Sequence, residues 1–335
     1  HWKWLSTTTR FAAFEGEEVS VVMELVLWCA LLTVVSCQAI PSWRTVSQLQ
    51  LLEALVGLET NEVAHDDVTE EDPEVLPDLF DGDIAGMTKE ESQLFRLGIN
   101  FTVFPQKKWD NGLVPYQISS LYSSTEHQLI QTAINTISFM SCIKFIPWDG
   151  TTKDYILIWP VKKPSGCWSF VGKKGGQQLV SLTQPTKGNK MCLGGVGKPM
   201  HELLHALGLF HEHSRPDRDD FIDIEFNNVK KKFYRNFNKQ GQFNVTTSYP
   251  YDYKSIMHYG DQYFSKHSKY TNKKTIIPKL ASFKIGQRYG LSKLDCMKIN
   301  DLYGCFQKSP FEKLNNLEKC TLCSPKVKYG FHDRT

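Results

Sequence analysis

The stretch that decides how this 335-residue chain reads is His201-Glu-Leu-Leu-His205-Ala-Leu-Gly208-Leu-Phe-His211. On a helix, positions four apart lie about one turn apart on one face, so His201 and His205 can aim their imidazoles at a single point. Pro199, just upstream, suits a first helical turn because its missing N–H is one the helix would leave unpaired. Gly208 can take a positive φ at little cost, which lets the chain leave the helix and swing back with His211 as a third nitrogen ligand. Three protein nitrogens leave one position open on a zinc ion, the feature that separates a catalytic site from a closed structural one. Glu202 projects beside the ligands rather than at the metal, where it can take a proton from water activated there. A bare His-Glu-x-x-His could be two satisfied helix histidines. The full eleven-residue span is a far more specific signal.

Downstream, Ser255-Ile-Met257-His-Tyr259-Gly260 supplies the methionine turn that accompanies this motif in the metzincins. After His211 the chain continues Glu212-His-Ser-Arg215-Pro-Asp217-Arg218-Asp219. Further landmarks are Trp109 with Pro115-Tyr116, Ser141-Cys142-Ile-Lys-Phe145, Gly166-Cys167-Trp168-Ser-Phe-Val-Gly172 and Leu302-Tyr303-Gly-Cys305. On these residues the chain resembles the astacin family of zinc metallopeptidases over about residues 100–306, with one further motif upstream.

The resemblance implies an α+β fold: a two-lobed metzincin catalytic domain with a twisted, mostly parallel N-terminal sheet and helices, an active-site cleft, and an irregular C-terminal lobe ending in a helix. It implies one Zn²⁺ per domain on His201, His205 and His211, with Glu202 as general base. Tyr259 would ligate the metal at rest and swing away to hold the oxyanion. Met257 would form an apolar floor under the metal, and Glu212 would receive the new N-terminus after activation. Disulfides Cys142–Cys305 and Cys167–Cys192 are implied in the same way. An extended substrate would add to an edge strand near Cys167 to Phe170. Upstream, Phe80-Asp-Gly82-Asp83 matches the family's precursor motif, whose aspartate takes the place of water at the zinc. A carboxylate is a good zinc ligand, so the match makes chemical sense.

Charge supports a two-part chain. No Lys or Arg lies between Arg44 and Lys89, whereas twelve Asp or Glu run from Glu53 to Asp83. Residues 84–335 carry thirty-six Lys or Arg against twenty Asp or Glu, a net +16 hidden inside an overall +3. An acidic segment ahead of a basic body suggests parts that attract each other, and a basic body favours acidic protein or peptide substrates. With 41% hydrophobic and 12% aromatic residues the chain can bury a real core, which excludes global disorder.

The expected organisation is an upstream segment at 1–22, a signal peptide at 23–39, a propeptide at 40–99, a peptidase domain at 100–306 and a C-terminal tail at 307–335. The apolar run Leu25 to Val35 after Met23 has the length of a signal core and is too short to span a bilayer, although acidic Glu24 is atypical beside it. A secreted, extracellular protein follows, activated by another protease cutting after Arg96 or a few residues later. Neither a membrane span nor a nucleic-acid partner is expected. The sequons at Asn100 and Asn244 fit that route, but a glycan at Asn100 would obstruct burial of the new N-terminus.

Among local elements, Ser123-x-x-Glu126 is a capping box opening a helix whose apolar residues Leu129, Ile130, Ala133, Ile134, Ile137 and Met140 keep the 3.6 period. Strands are expected at Cys142 to Ile146 and Tyr155 to Trp159, with a strand pair within 166–183. Ser292-x-x-Asp295 starts a last helix, on which Cys296 reads as a small buried residue. Cys320-x-x-Cys323 reads as a local or tethering disulfide in a secreted tail. His213, His258 and His267 read as packing or hydrogen-bonding residues, and Lys230 to Lys232 as a solvated helix face. Two other readings compete: a zinc-binding pseudoenzyme, which would need a damaged base, and a structural disulfide protein with incidental histidines. The intact Glu202, Gly208 and Tyr259 count against both.

Overall fold

A computed structural model describes residues 72–76, 78–87, 101–102, 104–186, 191–239, 249–267, 271, 273–307 and 309–323. The upstream segment, the signal peptide, the Arg96 region and both sequon asparagines lie outside the described residues.

Seven strands and four α-helices make up the described regular structure, joined by 3₁₀ turns. Helix α1 (Ser124–Met140) starts where the capping box places it: Ser123 Oγ accepts from Glu126 N, and the Glu126 carboxylate accepts from Ser123 N at 2.7 Å. Ile130, Ala133, Ile134, Ile137 and Met140 are all buried, the apolar stripe its sequence spells. It covers a five-stranded sheet of β1 (Leu113–Ile118), β2 (Lys144–Pro147), β3 (Tyr155–Trp159), β4 (Cys167–Ser169) and β5 (Gln177–Leu182). The sheet order is β2-β1-β3-β5-β4, with every pair parallel except β4 against β5. The expected mostly parallel sheet is therefore present, and β4 forms one of its edges. Val114, Ile156, Ile158, Val180 and Leu182 fill the space between sheet and helices.

Helix α2 (Gly197–Ala206) carries the histidine motif and is buried at every position except Lys198. Its N-terminus runs so close to the Arg288 backbone that a Cβ on Gly197 would meet the Arg288 carbonyl at 1.7 Å, so only glycine fits. At its other end the fully buried Trp109 donates Nε1–H to Ala206 O at 2.8 Å, and Tyr303 donates its hydroxyl to Leu207 O at 3.1 Å. Those two bonds satisfy carbonyls that a helix end leaves unpaired. A second, aromatic cluster holds the C-terminal part, where β6 (Ile222–Ile224) pairs antiparallel with β7 (Ile276–Pro278) among Phe233, Phe237, Tyr251, Tyr253, Tyr259 and Phe264.

The stretch expected as a tail is partly helical. After α3 (Lys293–Leu302), helix α4 (Pro310–Leu322) folds back against it. Cys320 bonds to Cys296 rather than to Cys323, and Cys323 is a buried free thiol whose pKa burial pushes up to about 12. Cys296 is buried as expected but bonded, and Cys320 makes a tethering disulfide with it, while the local Cys320–Cys323 pairing is corrected. The buried residues of α4 are Asn316 and Cys320, with Cys323 just past its end, too few apolar residues to announce a docked helix; a covalent bond does the anchoring. A bridge closing a loop of this length, 24 residues apart in sequence, contributes about 3 kcal/mol by loss of chain entropy. Two further disulfides join Cys142 to Cys305 and Cys167 to Cys192.

Candidate metal centre and the segment that fills it

Helical spacing on α2 sets His201 and His205 side by side, and Gly208, at φ +107°, turns the chain back so that His211 joins them. A Cβ on Gly208 would stand 2.8 Å from the Phe101 ring, a second reason for glycine there. The three Nε2 atoms converge: His205 to His201 at 3.1 Å and His211 to His201 at 3.3 Å. Asp83 completes the group, its Oδ2 3.2 Å from both His201 and His211 and its Oδ1 3.6 Å from His205. All four side chains are buried, and their donor atoms lie within 4.8 Å of one another.

This donor set fits a zinc ion. His201 Nδ1 lies 2.8 Å from Ile256 O and His205 Nδ1 lies 2.8 Å from Leu209 O. A carbonyl only accepts, so both Nδ1 atoms carry the proton and both Nε2 atoms turn bare lone pairs toward each other. Converging lone pairs repel unless a cation lies between them. Four donors at zinc–ligand lengths of about 2.0–2.1 Å stand ~3.3 Å apart at the corners of a tetrahedron, close to the spacings here.

Asp83 reaches the histidines on a tight hairpin. Phe80 and Ile84 exchange backbone bonds at 3.1 and 2.9 Å around Asp81 (φ 45°) and Gly82 (φ 83°). A side chain on Gly82 would strike Glu74 O at 2.7 Å and the Phe264 ring at 2.8 Å. Beyond the tip, Ser169 N donates to Asp83 O at 2.9 Å and Ala85 N to Ser169 O at 2.8 Å, an isolated parallel bridge of Ile84 with the β4 edge at Ser169. The edge expected to take substrate is thus occupied by the chain's own residues.

Ahead of the hairpin, Glu74 is fully buried. Arg288 Nε meets its two oxygens at 3.0 and 2.9 Å, Arg288 Nη2 donates to Oε2 at 2.7 Å, and Tyr263 adds its hydroxyl at 2.8 Å. Burial opposes the charge, but the guanidinium holds Glu74 well below the usual carboxylate range. Asp72 pairs with Lys198 at 3.1 Å. These are the attractions between acidic segment and basic body that the charge pattern suggested.

Glu202 lies buried beside the cluster with no hydrogen-bond partner for either oxygen. Burial first, then the charges of Asp83 and Glu74, raise it well above the ordinary value. Asp83 itself is held low: burial raises it, and the histidines outweigh that. Burial also works against charge on His211, yet Asp83 and Asp81 raise that ring to about 9, so proton and metal compete for it. Tyr259, fully buried, donates its hydroxyl to the Asp81 carbonyl rather than turning it to the histidines. The upstream segment takes the phenol's hydrogen bond.

Met257 lies buried in a turn built by α3. Ser292 caps that helix, and its capping partner Asp295 accepts from Ser255 Oγ at 2.6 Å and Ile256 N at 2.8 Å. The same Ile256 supplies the carbonyl that orients His201. Glu212 is engaged by Lys298 at 2.6 Å, by Arg215 at 3.1 Å and by Asp252 N at 2.9 Å, all from within the chain. His213 Nε2 bonds Asn236 O at 3.0 Å and His258 Nε2 meets the Tyr251 hydroxyl at 2.7 Å, so both are hydrogen-bonded core residues. Glu74, Arg288 and Asp295 were not singled out from sequence as site residues. Only Asp295 had a local signal, as a capping residue.

Comparison with known proteins gives the same direction. Residues 101–304 match the family described as Astacin (Peptidase family M12A). The chain is 42% identical over 201 residues to high choriolytic enzyme 1 of Oryzias latipes, covering 59% of this chain and 69% of that protein. It is 36% identical over 252 residues to zinc metalloproteinase nas-14 of Caenorhabditis elegans, covering 69% of this chain and 48% of the relative, so it spans about half that protein's length. The solved structure of high choriolytic enzyme 1, a hatching enzyme zinc-protease, superposes with a TM-score of 0.52 at 37% identity, covering 59% of this chain and 93% of that one.

Proposed function

The chain belongs to the astacin family, and from that premise we propose that it is a secreted zinc metalloendopeptidase made as a zymogen. The observation that carries the reading is the Asp83 carboxylate, delivered by the segment upstream of the peptidase domain to three converging imidazoles. His201, His205 and His211 would hold the metal, and Asp83 would take the position that water needs for catalysis. In this reading 40–99 is the propeptide, 100–306 the peptidase domain and 23–39 the secretory signal.

Cleavage near Arg96 by an activating protease releases the segment. Zinc on the three histidines supplies Lewis acidity toward a scissile carbonyl at neutral pH. Glu202 accepts a proton from the attacking water and passes it to the leaving amine. The two carboxylates that raise its pKa, Asp83 and Glu74, depart with the segment, which moves Glu202 toward the ionised form a base requires. Tyr259 loses the Asp81 carbonyl and can donate its hydroxyl to the developing oxyanion. Ser169 offers its freed N–H and C=O to an extended substrate strand.

Arg288 and Tyr263 then face the cleft without Glu74, and a planar guanidinium there favours a substrate side chain ending in carboxylate. Acidic extracellular proteins are the substrate class, and the similarity to a hatching enzyme supports egg-coat or matrix proteins among them. Zinc per chain and peptide cleavage, measured on wild type and Glu202→Ala after removal of the segment, test this reading. A chain that binds zinc and cleaves nothing overturns the enzyme assignment. Undiminished cleavage by Glu202→Ala overturns the role given to that residue.

A further inference from the structure

We propose that His213 is a positioning residue for Tyr259: its imidazole is a flat platform that confines the phenol to movement within its own ring plane. The inference rests on the role assigned to Tyr259 above. The rings of His213 and Tyr259 stack with centroids 3.6 Å apart and planes 26° from parallel. Every other ring recorded beside the phenol stands farther off and more steeply inclined. His211 lies at 4.6 Å and 60°, Tyr263 at 5.1 Å and 39°, Phe264 at 5.7 Å and 48°, and Phe237 at 6.1 Å and 89°.

The platform is itself fixed. His213 Nε2–H donates to Asn236 O at 3.0 Å, and the His213 carbonyl accepts from Arg218 Nη1 at 3.0 Å. The side chain is fully buried and an edge of Phe237 closes its flank at 6.0 Å. A ring lying on a fixed flat neighbour can slide along it with its stacking contact kept, whereas tipping out of plane forfeits that contact. The hydroxyl that leaves the Asp81 carbonyl therefore stays in one plane, aimed into the site, instead of sampling a cone of directions. A donor held in place before the reaction stabilises an oxyanion better than one that must be reoriented.

The test is a double-mutant cycle on the full chain after segment removal, with kcat and KM measured on an internally quenched peptide bearing glutamate beside the scissile bond. Zinc per chain and melting temperature are recorded alongside. Tyr259→Phe keeps the stack and loses the hydroxyl, and should lower kcat by about 10²-fold, the order seen when one oxyanion donor is removed. His213→Ala should lower kcat about tenfold with KM within about twofold, and should add less than about twofold in the Tyr259→Phe background. His213→Phe, which restores a flat ring, should return kcat to within about threefold of wild type even if its melting temperature falls. Should His213→Ala fail to fold, His213→Asn removes the ring while keeping a polar side chain and carries the same expectations. Equal losses in both Tyr259 backgrounds, or a loss explained by zinc content alone, would overturn the inference while leaving the Tyr259 role intact. No kcat effect of Tyr259→Phe overturns both.

Discussion

Asp83 and Glu74 are two fully buried carboxylates on one segment, and their surroundings differ in an informative way. Glu74 is complete within the protein: both oxygens accept from Arg288 and one also from Tyr263. Asp83 is not, because its Oδ1 has no hydrogen-bond partner and faces imidazole nitrogens that offer lone pairs. A carboxylate satisfied by protein donors is an anchor. One that is satisfied only by a cation is a ligand. The segment carries one of each, and the two ends should respond to different perturbations.

Removing zinc with a chelator should have the largest effect. Activity of the cleaved chain should fall more than about 10³-fold, and in the uncleaved chain Asp83 should lose its partner while the Glu74–Arg288 pair persists. A chain whose latent form is equally stable with and without metal would break the distinction. Next, Asp83→Ala should let the uncleaved chain turn over a quenched peptide roughly 10²-fold faster than uncleaved wild type, since an intramolecular competitor at high effective concentration is gone. Glu74→Gln leaves Arg288 charged and buried without its partner. It should cost the uncleaved chain about 3 kcal/mol in urea unfolding, best measured in a Glu202→Ala background to prevent self-digestion, with zinc content unchanged. A loss of zinc in that variant would merge the two ends into one.

The smallest effect concerns a third buried carboxylate, one that faces other acids. Burial, and after it Asp295, raise Asp252 from its ordinary 3.8 to about 7. A raised folded pKa contributes stability that is full below about 4 and is lost as pH climbs through 7. The melting temperature should therefore drift down across that window, and Asp252→Asn should flatten the drift.

Sequence made the ligand end of this comparison legible and left the anchor end dark. His201, His205, Gly208 and His211 announce themselves because helical spacing and a glycine turn are local facts. Helix α1 was legible for the same reason, through a capping box and an unbroken apolar period. Asp83 could be named only through a resemblance, as four residues in an acidic run carry little by themselves. Glu74 had no local mark at all: it is one acid among many, and its partner lies 214 residues away. Helix α4 was misread because its anchor is covalent and its buried face is short of apolar residues.

The Ser255–Met257 turn hangs from Asp295, Asp295 sits on α3, and α3 is stapled to α4 by Cys296–Cys320. Family resemblance ends near residue 304, yet the mechanical support of His201 does not. Cutting an expression clone there would strand Cys142 and Cys296 as loose thiols and uncover Met140 and Asn300 beneath the lost helix. For recombinant expression, the usable end point lies past Cys323.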